Sequence, residues 1–127
     1  NNMNPVANSL LWTGEISLSV SEFGAKVDRA LQRTPLIIGN KDSNIKRIAW
    51  CTGAAQGFID QAVDLDVDAY LTGEASEQTP AIALENGLVF ISAGHHATER
   101  YGVQALCQHL STEFGCEHQY LEIDNCV

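Results

Sequence analysis

Leu88-Val89-Phe90-Ile91-Ser92-Ala93-Gly94-His95-His96-Ala97-Thr98-Glu99-Arg100 passes from an unbroken apolar run, through small residues and a glycine, into a long segment with helical spacing. The apolar run reads as a buried strand. The segment from Ala97 to Phe114 reads as the longest helix, its apolar face marked by Val103, Leu106, Cys107, Leu110 and Phe114, with Gly115 ending it. A strand that hands over to a helix within a few residues is the unit of a layered α/β domain. A histidine and a carboxylate four residues apart at such a junction, His95 and Glu99, can point the same way, one turn apart. Their nitrogen and oxygen donors would make half of a transition-metal site. The other half is not evident in the chain.

Working outward, the same alternation recurs. Arg47 to Cys51 and Val67 to Leu71 read as strands, and Ala55 to Leu65 reads as a helix with Phe58, Ile59, Ala62 and Val63 on one face. A shorter helix is expected near Pro80 to Asn86, with Thr79 as cap, Pro80 at the first helical position and Gly87 as the stop. Toward the amino terminus, Glu15 to Val20 alternates apolar and polar residues as a half-buried strand does. Ser19 or Ser21 then caps a helix running to about Arg33, weakened by Gly24 and stopped by Thr34-Pro35. Leu36-Ile37-Ile38 is a short strand followed by turn residues, and His118 to Ile123 alternates as a last strand. The runs 47–51 and 88–91 suit central strands covered on both faces, and the runs 15–20 and 118–123 suit edge or antiparallel ones. The expected fold is therefore α/β: a layered mixed sheet with helices on its faces, built from alternating strand–helix units. The expected division is residues 1–14 as the tail of a preceding region or a linker, and 15–127 as one α/β domain.

Composition agrees with one folded domain and excludes several classes. The 127 residues are 45% hydrophobic and 18% charged, enough apolar material for a core and too little charge for a disordered chain. No run approaches the roughly 20 apolar residues that cross a bilayer. The polar start, Asn1-Asn2-Met3-Asn4-Pro5, lacks the basic cluster of a signal peptide, and the absence of Met at position 1 fits a piece of a longer chain or a processed product. A net charge of −9 argues against nucleic-acid binding, because that affinity comes from a basic face. Cys51, Cys107, Cys116 and Cys126 form no C-x-x-C pair, and Cys51 and Cys107 fall at apolar positions as small core residues do. Neither structural zinc on cysteine nor a disulfide framework is expected, and a cytoplasmic location is the simplest expectation.

In open α/β sheets ligands bind beyond the carboxyl ends of the strands. Three loops leave such ends: Thr52 to Gly57, Thr72 to Glu77 and Gly94 to Glu99, each with a glycine just after the strand. If the strands are parallel, the three loops open on one rim. His95 and Glu99 then suit zinc, manganese, iron or nickel. Against that, Glu99 is favoured in a first helical turn by the dipole alone, and either histidine could merely cap the helix. His96 is open between a supporting, a substrate-facing and a packed role. His109 and His118 lie too far off to serve as ligands. Thr52 to Gly57 reads either as a phosphate cradle or as a tight turn needing small residues. Glu74 reads either as a further carboxylate near the metal or as part of a turn.

Three segments, Ala49-Trp50-Cys51-Thr52-Gly53-Ala54-Ala55-Gln56-Gly57-Phe58-Ile59-Asp60, Val67-Asp68-Ala69-Tyr70-Leu71-Thr72-Gly73-Glu74-Ala75-Ser76-Glu77-Gln78-Thr79 and Ala93-Gly94-His95-His96-Ala97-Thr98-Glu99-Arg100, resemble the carboxyl-terminal half of the Nif-three-like family, whose members are often labelled GTP cyclohydrolase type-two homologues or dinuclear metal-binding proteins. The resemblance covers about residue 15 to the end. It implies two divalent metal ions held between two α/β halves. This half would supply the His and Glu of a Gly-His-x-x-x-Glu motif, which map to His95 and Glu99. A histidine pair and an aspartate would come from the missing amino-terminal half. It also implies a homo-oligomer, a hexameric ring in the family. With two donors where zinc takes four, the segment alone would bind metal weakly or not at all and be inactive.

The implied function of the whole protein is that of a metal-dependent, hydrolase-like enzyme acting on a substrate of unknown identity, nucleotide-like at most by label. The alternative is a non-enzymatic metal-binding or protein-interaction scaffold. A weaker third reading is a nucleotide-binding module built on the Thr52–Gly57 turn. No catalytic acid or base is assigned.

Overall fold

A computed structural model describes residues 3–123 and Asn125. Its elements are β1 (Asn4–Pro5), β2 (Trp12–Ser19), α1 (Val20–Leu31), β3 (Leu36–Ile38), β4 (Asn44–Trp50), a 3₁₀ turn (Gln56–Phe58), α2 (Ile59–Asp64), β5 (Ala69–Thr72), α3 (Thr79–Glu85), β6 (Val89–Ser92) and α4 (His95–Phe114). The strands form one mixed sheet of order β1-β2-β4-β5-β6-β3. β4, β5 and β6 are parallel, while β2 and β3 flank them antiparallel. The expected α/β class is the one observed.

The apolar central strands divide their residues between two cores because successive side chains point to opposite faces. Ala49, Tyr70 and Phe90 face Ile59, Ala62 and Ala83 of α2 and α3, and Leu11 joins them. Ile48, Ala69, Val89 and Ile91 face the other way, where Val20 and Phe23 of α1 pack. Tyr70 and Phe90 are register partners and meet edge to face with ring centres 5.8 Å apart. The buried Tyr70 hydroxyl donates to the Ala55 carbonyl at 2.6 Å, fastening the entry to α2, and burial raises its pKa well above the ordinary phenol value.

Ser19 caps α1 in a reciprocal box with Glu22: the Glu22 N–H donates to Ser19 Oγ at 3.2 Å, and the Ser19 N–H to Glu22 Oε2 at 2.8 Å. Those bonds hold the Glu22 carboxyl below its ordinary pKa. The segment 55–65 is not a single helix but a 3₁₀ turn continued by α2, and Thr79 lies inside α3 rather than capping it. Part of the segment 1–14 belongs to the sheet: β2 starts at Trp12, β1 pairs with it, and Leu11 is fully buried.

Two expectations fail at the carboxyl end. Residues 118–123 form no strand. The polar members of their alternation, Tyr120 and Glu122, bond to each other and to α4 instead of facing solvent from a ladder. The apolar face of α4 is not core either: only Ala97 and Thr98 are buried, and Val103, Leu106, Leu110 and Phe114 are exposed. Cys51 is half-buried and packs against the Tyr70–Phe90 core, Cys107 is half-buried on α4, and Cys126 lies outside the described residues. Among the described residues, no helix is long and apolar enough to cross a membrane.

Candidate functional site

Because β4, β5 and β6 run parallel, the three glycine-bearing loops do open on one rim, where backbone bonds stitch them together. The Gly73 N–H donates to the Gly53 carbonyl at 3.0 Å, and the Gly94 N–H to the Gly73 carbonyl at 2.9 Å. Thr98, in the first turn of α4, accepts the Gly53 N–H on its hydroxyl at 3.0 Å. Thr72 donates to the Gly53 carbonyl and Ser92 to the Gly73 carbonyl. Loops bonded this closely leave no room for side chains at their crossing. A Cβ on Gly73 would sit 2.6 Å from the Gly53 carbonyl oxygen and 2.8 Å from His95 Cα. One on Gly53, which also has φ +69°, would sit 2.1 Å from Glu99 Oε1.

This frame brings three side chains from two loops together. His95 Nε2 lies 3.0 Å from Glu99 Oε2, as four-residue spacing on a helix allows. His95 Nδ1 lies 2.6 Å from Glu74 Oε1, from the loop after β5. All three are partly exposed, and Gln56 reaches Glu74 from the β4 loop at 3.5 Å, the outer limit of a hydrogen bond. The Glu74 hydrogen bond above all, helped by the Glu99 carboxylate, raises the His95 pKa against a smaller cost of burial. Burial, then the nearby Glu99 charge, raises the Cys51 thiol.

The pair His95 and Glu99 therefore stands where the sequence placed it. Glu74, left open by sequence between a further carboxylate near the metal and part of a turn, lies on His95 Nδ1. Its signal was the repeated pattern of a glycine one residue past a strand, here Thr72-Gly73-Glu74. His96, left open by sequence, points away from the pair to Glu122 Oε1 at 2.8 Å. His118 lies in coil, and His109 lies far along α4. In the Thr52–Gly57 turn two of the amides a phosphate cradle would use, those of Gly53 and Ala55, are taken by Thr98 Oγ1 and the Gly53 carbonyl.

The donors suit part of a metal site. Two ligands on one zinc, at about 2.0–2.1 Å and a tetrahedral angle, lie about 3.3 Å apart, close to the observed separation. Nδ1 occupied by a carboxylate leaves Nε2 as the donor nitrogen. Among the described residues, no group of three or more His, Cys, Asp or Glu side chains could hold a metal ion.

Sheet order, stitched rim and side-chain geometry together define an α/β domain with a His–carboxylate cluster at the carboxyl ends of three parallel strands. The chain belongs to the Duf34/NIF3 (NGG1p interacting factor 3) family, whose profile matches residues 1–126. It is 51% identical over 122 residues to a protein of Allochromatium vinosum named "GTP cyclohydrolase 1 type 2 homolog", covering 94% of this chain and 48% of the relative. It is 52% identical to a Pseudomonas aeruginosa protein of the same name, covering 96% and 48%. The chain thus spans about half the length of these curated relatives. Among solved structures it resembles "protein ybgI, unknown function", with TM-score 0.90 and 37% identity over 99% of this chain and 52% of that one. It also resembles reduced HcgD from Methanocaldococcus jannaschii, with TM-score 0.78 and 26% identity over 92% and 48%.

Proposed function

We propose that His95 and Glu99 are two ligands of a dinuclear divalent-metal site, whose other ligands come from the half of the protein that this segment does not include. The observation that carries this reading is the His95 ring. Its Nδ1 is 2.6 Å from Glu74 and its Nε2 is beside Glu99, on an exposed rim at the ends of parallel strands. Glu74 accepts the Nδ1 proton, which fixes the tautomer with the Nε2 lone pair outward and makes that nitrogen a better donor. Gly53 and Gly73 keep the rim narrow enough for Glu99 to reach the same point. When bound, metal ions of this kind activate water and polarise the group it attacks, which is why a hydrolase-like activity is proposed for the whole protein. Zinc, manganese, iron and nickel all accept this donor pair, and two donors alone would hold any of them weakly.

The names of the relatives point toward a nucleotide-like substrate, which at this rim would present its uncharged base rather than its phosphates, and a cytoplasmic setting goes with this reading. The exposed apolar face of α4 supports a covering partner, either the missing half or another copy in a ring. That same face favours the second reading, a metal-binding scaffold that presents surfaces to proteins and carries out no reaction.

The test is elemental analysis of the full-length protein. His95→Ala and Glu99→Ala should each lower metal content while circular dichroism stays unchanged, and Glu74→Gln should weaken affinity on the order of tenfold or more. Unchanged stoichiometry in both ligand variants would remove the assignment.

A further inference from the structure

Residues 116–123 run back along α4 as a strap, fastened largely by one carboxylate. Glu122 Oε1 lies 2.8 Å from His96 Nε2 and 3.4 Å from Arg100 Nη1, and Glu122 Oε2 accepts from the Tyr120 hydroxyl at 2.7 Å. Farther along, Arg33 Nη1 donates to the Asn125 carbonyl at 3.1 Å. Arg100 is held from its other side by the Leu31 carbonyl, and its side chain is 12% exposed.

Between strap and helix lies an open cavity of about 650 Å³, a size that suits a small molecule. Glu74, His95 and Glu99 form one end of it. Val103, Leu121 and Ile123 give it an apolar wall. Among the described residues that line it, Arg100 alone carries a fixed positive charge, and Glu122 already lies against that charge. An anion reaching for Arg100 would have to displace Glu122. An uncharged ligand with an apolar face meets no such opposition.

We propose that this cavity takes an uncharged ligand with an apolar face, its polar end toward His95 and Glu99, and that Glu122 is the specificity residue that shuts out anions by occupying Arg100. The placement of the reacting end rests on the metal reading above, and the charge selection rests on the strap. Replacing the carboxylate by an amide keeps its shape and its acceptor for Tyr120 but leaves Arg100 facing the cavity uncompensated, and an uncompensated guanidinium binds phosphate through charge-assisted hydrogen bonds.

The experiment uses this chain with chelator present, at a pH where histidine is neutral, so that its failure is separate from any failure of the metal assignment. Two probes are titrated by NMR: benzamide, which is neutral and flat with a polar end, and inorganic phosphate. In the wild type, benzamide should shift the Val103 and Leu121 methyl signals while phosphate leaves the Arg100 guanidinium unmoved. In Glu122→Gln, phosphate should shift Arg100, with affinity on the order of tenfold above any wild-type response. In Glu122→Gln with Arg100→Gln that gain should vanish. Phosphate binding at Arg100 in the wild type, no gain in Glu122→Gln, or a gain that survives loss of Arg100 each overturns the exclusion role. Unmoved methyl signals with benzamide overturn the ligand class. Should Glu122→Gln fail to fold, Glu122→Ala takes its place with the same expected gain at Arg100 and the same refuting outcomes.

Discussion

Gly53→Ala tests the rim most directly. Alanine at φ +69° costs about 1–2 kcal/mol in backbone strain. Its Cβ would overlap Glu99 Oε1 at 2.1 Å and Cδ at 2.8 Å, so the Glu99 side chain must swing away. That side chain is 51% exposed, and leaving a solvated ion pair costs about 0–1 kcal/mol more. The expected loss is about 2 kcal/mol. With an unfolding entropy of about 2.1 cal/mol/K per residue over 127 residues, Tm should fall by about 7 °C. Gly73→Ala is the comparison. There the Cβ would strike backbone, the Gly53 carbonyl at 2.6 Å and His95 Cα at 2.8 Å, which cannot rotate aside. Overpacking of about 2 kcal/mol plus two weakened hydrogen bonds at about 1 kcal/mol each gives about 4 kcal/mol, or about 15 °C in Tm. Calorimetry measures both losses, and imidazole ¹⁵N shifts report whether His95 keeps Glu74 and loses Glu99 in Gly53→Ala. Equal losses in the two variants, or an intact His95–Glu99 contact in Gly53→Ala, would refute the reasoning.

Tyr70→Phe removes one of the two donors to the Ala55 carbonyl, the Phe58 N–H being the other, and should cost about 0.5–1.5 kcal/mol in urea unfolding; an unchanged midpoint would mean that the hydroxyl bond adds nothing to stability. His95 has its pKa raised by Glu74, so its contribution to stability is fully present below about 6.5, the ordinary histidine value, and is lost as pH climbs through the raised one. Urea midpoints of the metal-free chain should therefore decline across that window, and Glu74→Gln should flatten the decline; equal slopes would discard Glu74 as the cause. Leu110→Ser and Phe114→Ser should each change stability by less than about 0.5 kcal/mol, because both side chains are exposed, and should reduce self-association in sedimentation. A large stability loss would show that the α4 face is covered.

Most of the fold was legible because its signals are local. Central strands announced themselves as unbroken apolar runs, Ser19 as one of two candidate caps, Gly87 and Gly115 as helix ends. The pair His95 and Glu99 was legible for the same reason, since one helical turn fixes their distance. Glu74 was not, because its contact with His95 spans 21 residues and depends on which strands are neighbours. The run 118–123 misled because alternation records which residues are apolar, not whether a sheet edge is available to them. Nor does helical spacing tell a core face from a bare one, so the stripe on α4 read as buried.

Of the 20 residues of α4, the first two turns are clamped: Thr98 ties them to the sheet, and Arg100 and Tyr101 tie them to the end of α1. The ten residues past Gln104 extend about 15 Å farther. A rod pinned at its base and loaded at its tip is a lever. A tilt of only 5° about Thr98 would carry Phe114, about 24 Å away, about 2 Å sideways, yet shift His95 and Glu99, beside the fulcrum, by about 0.4 Å at most. Whatever grips the distal end can thus be accommodated with hardly any disturbance at the rim, while a push applied near Val103 would be felt there almost in full.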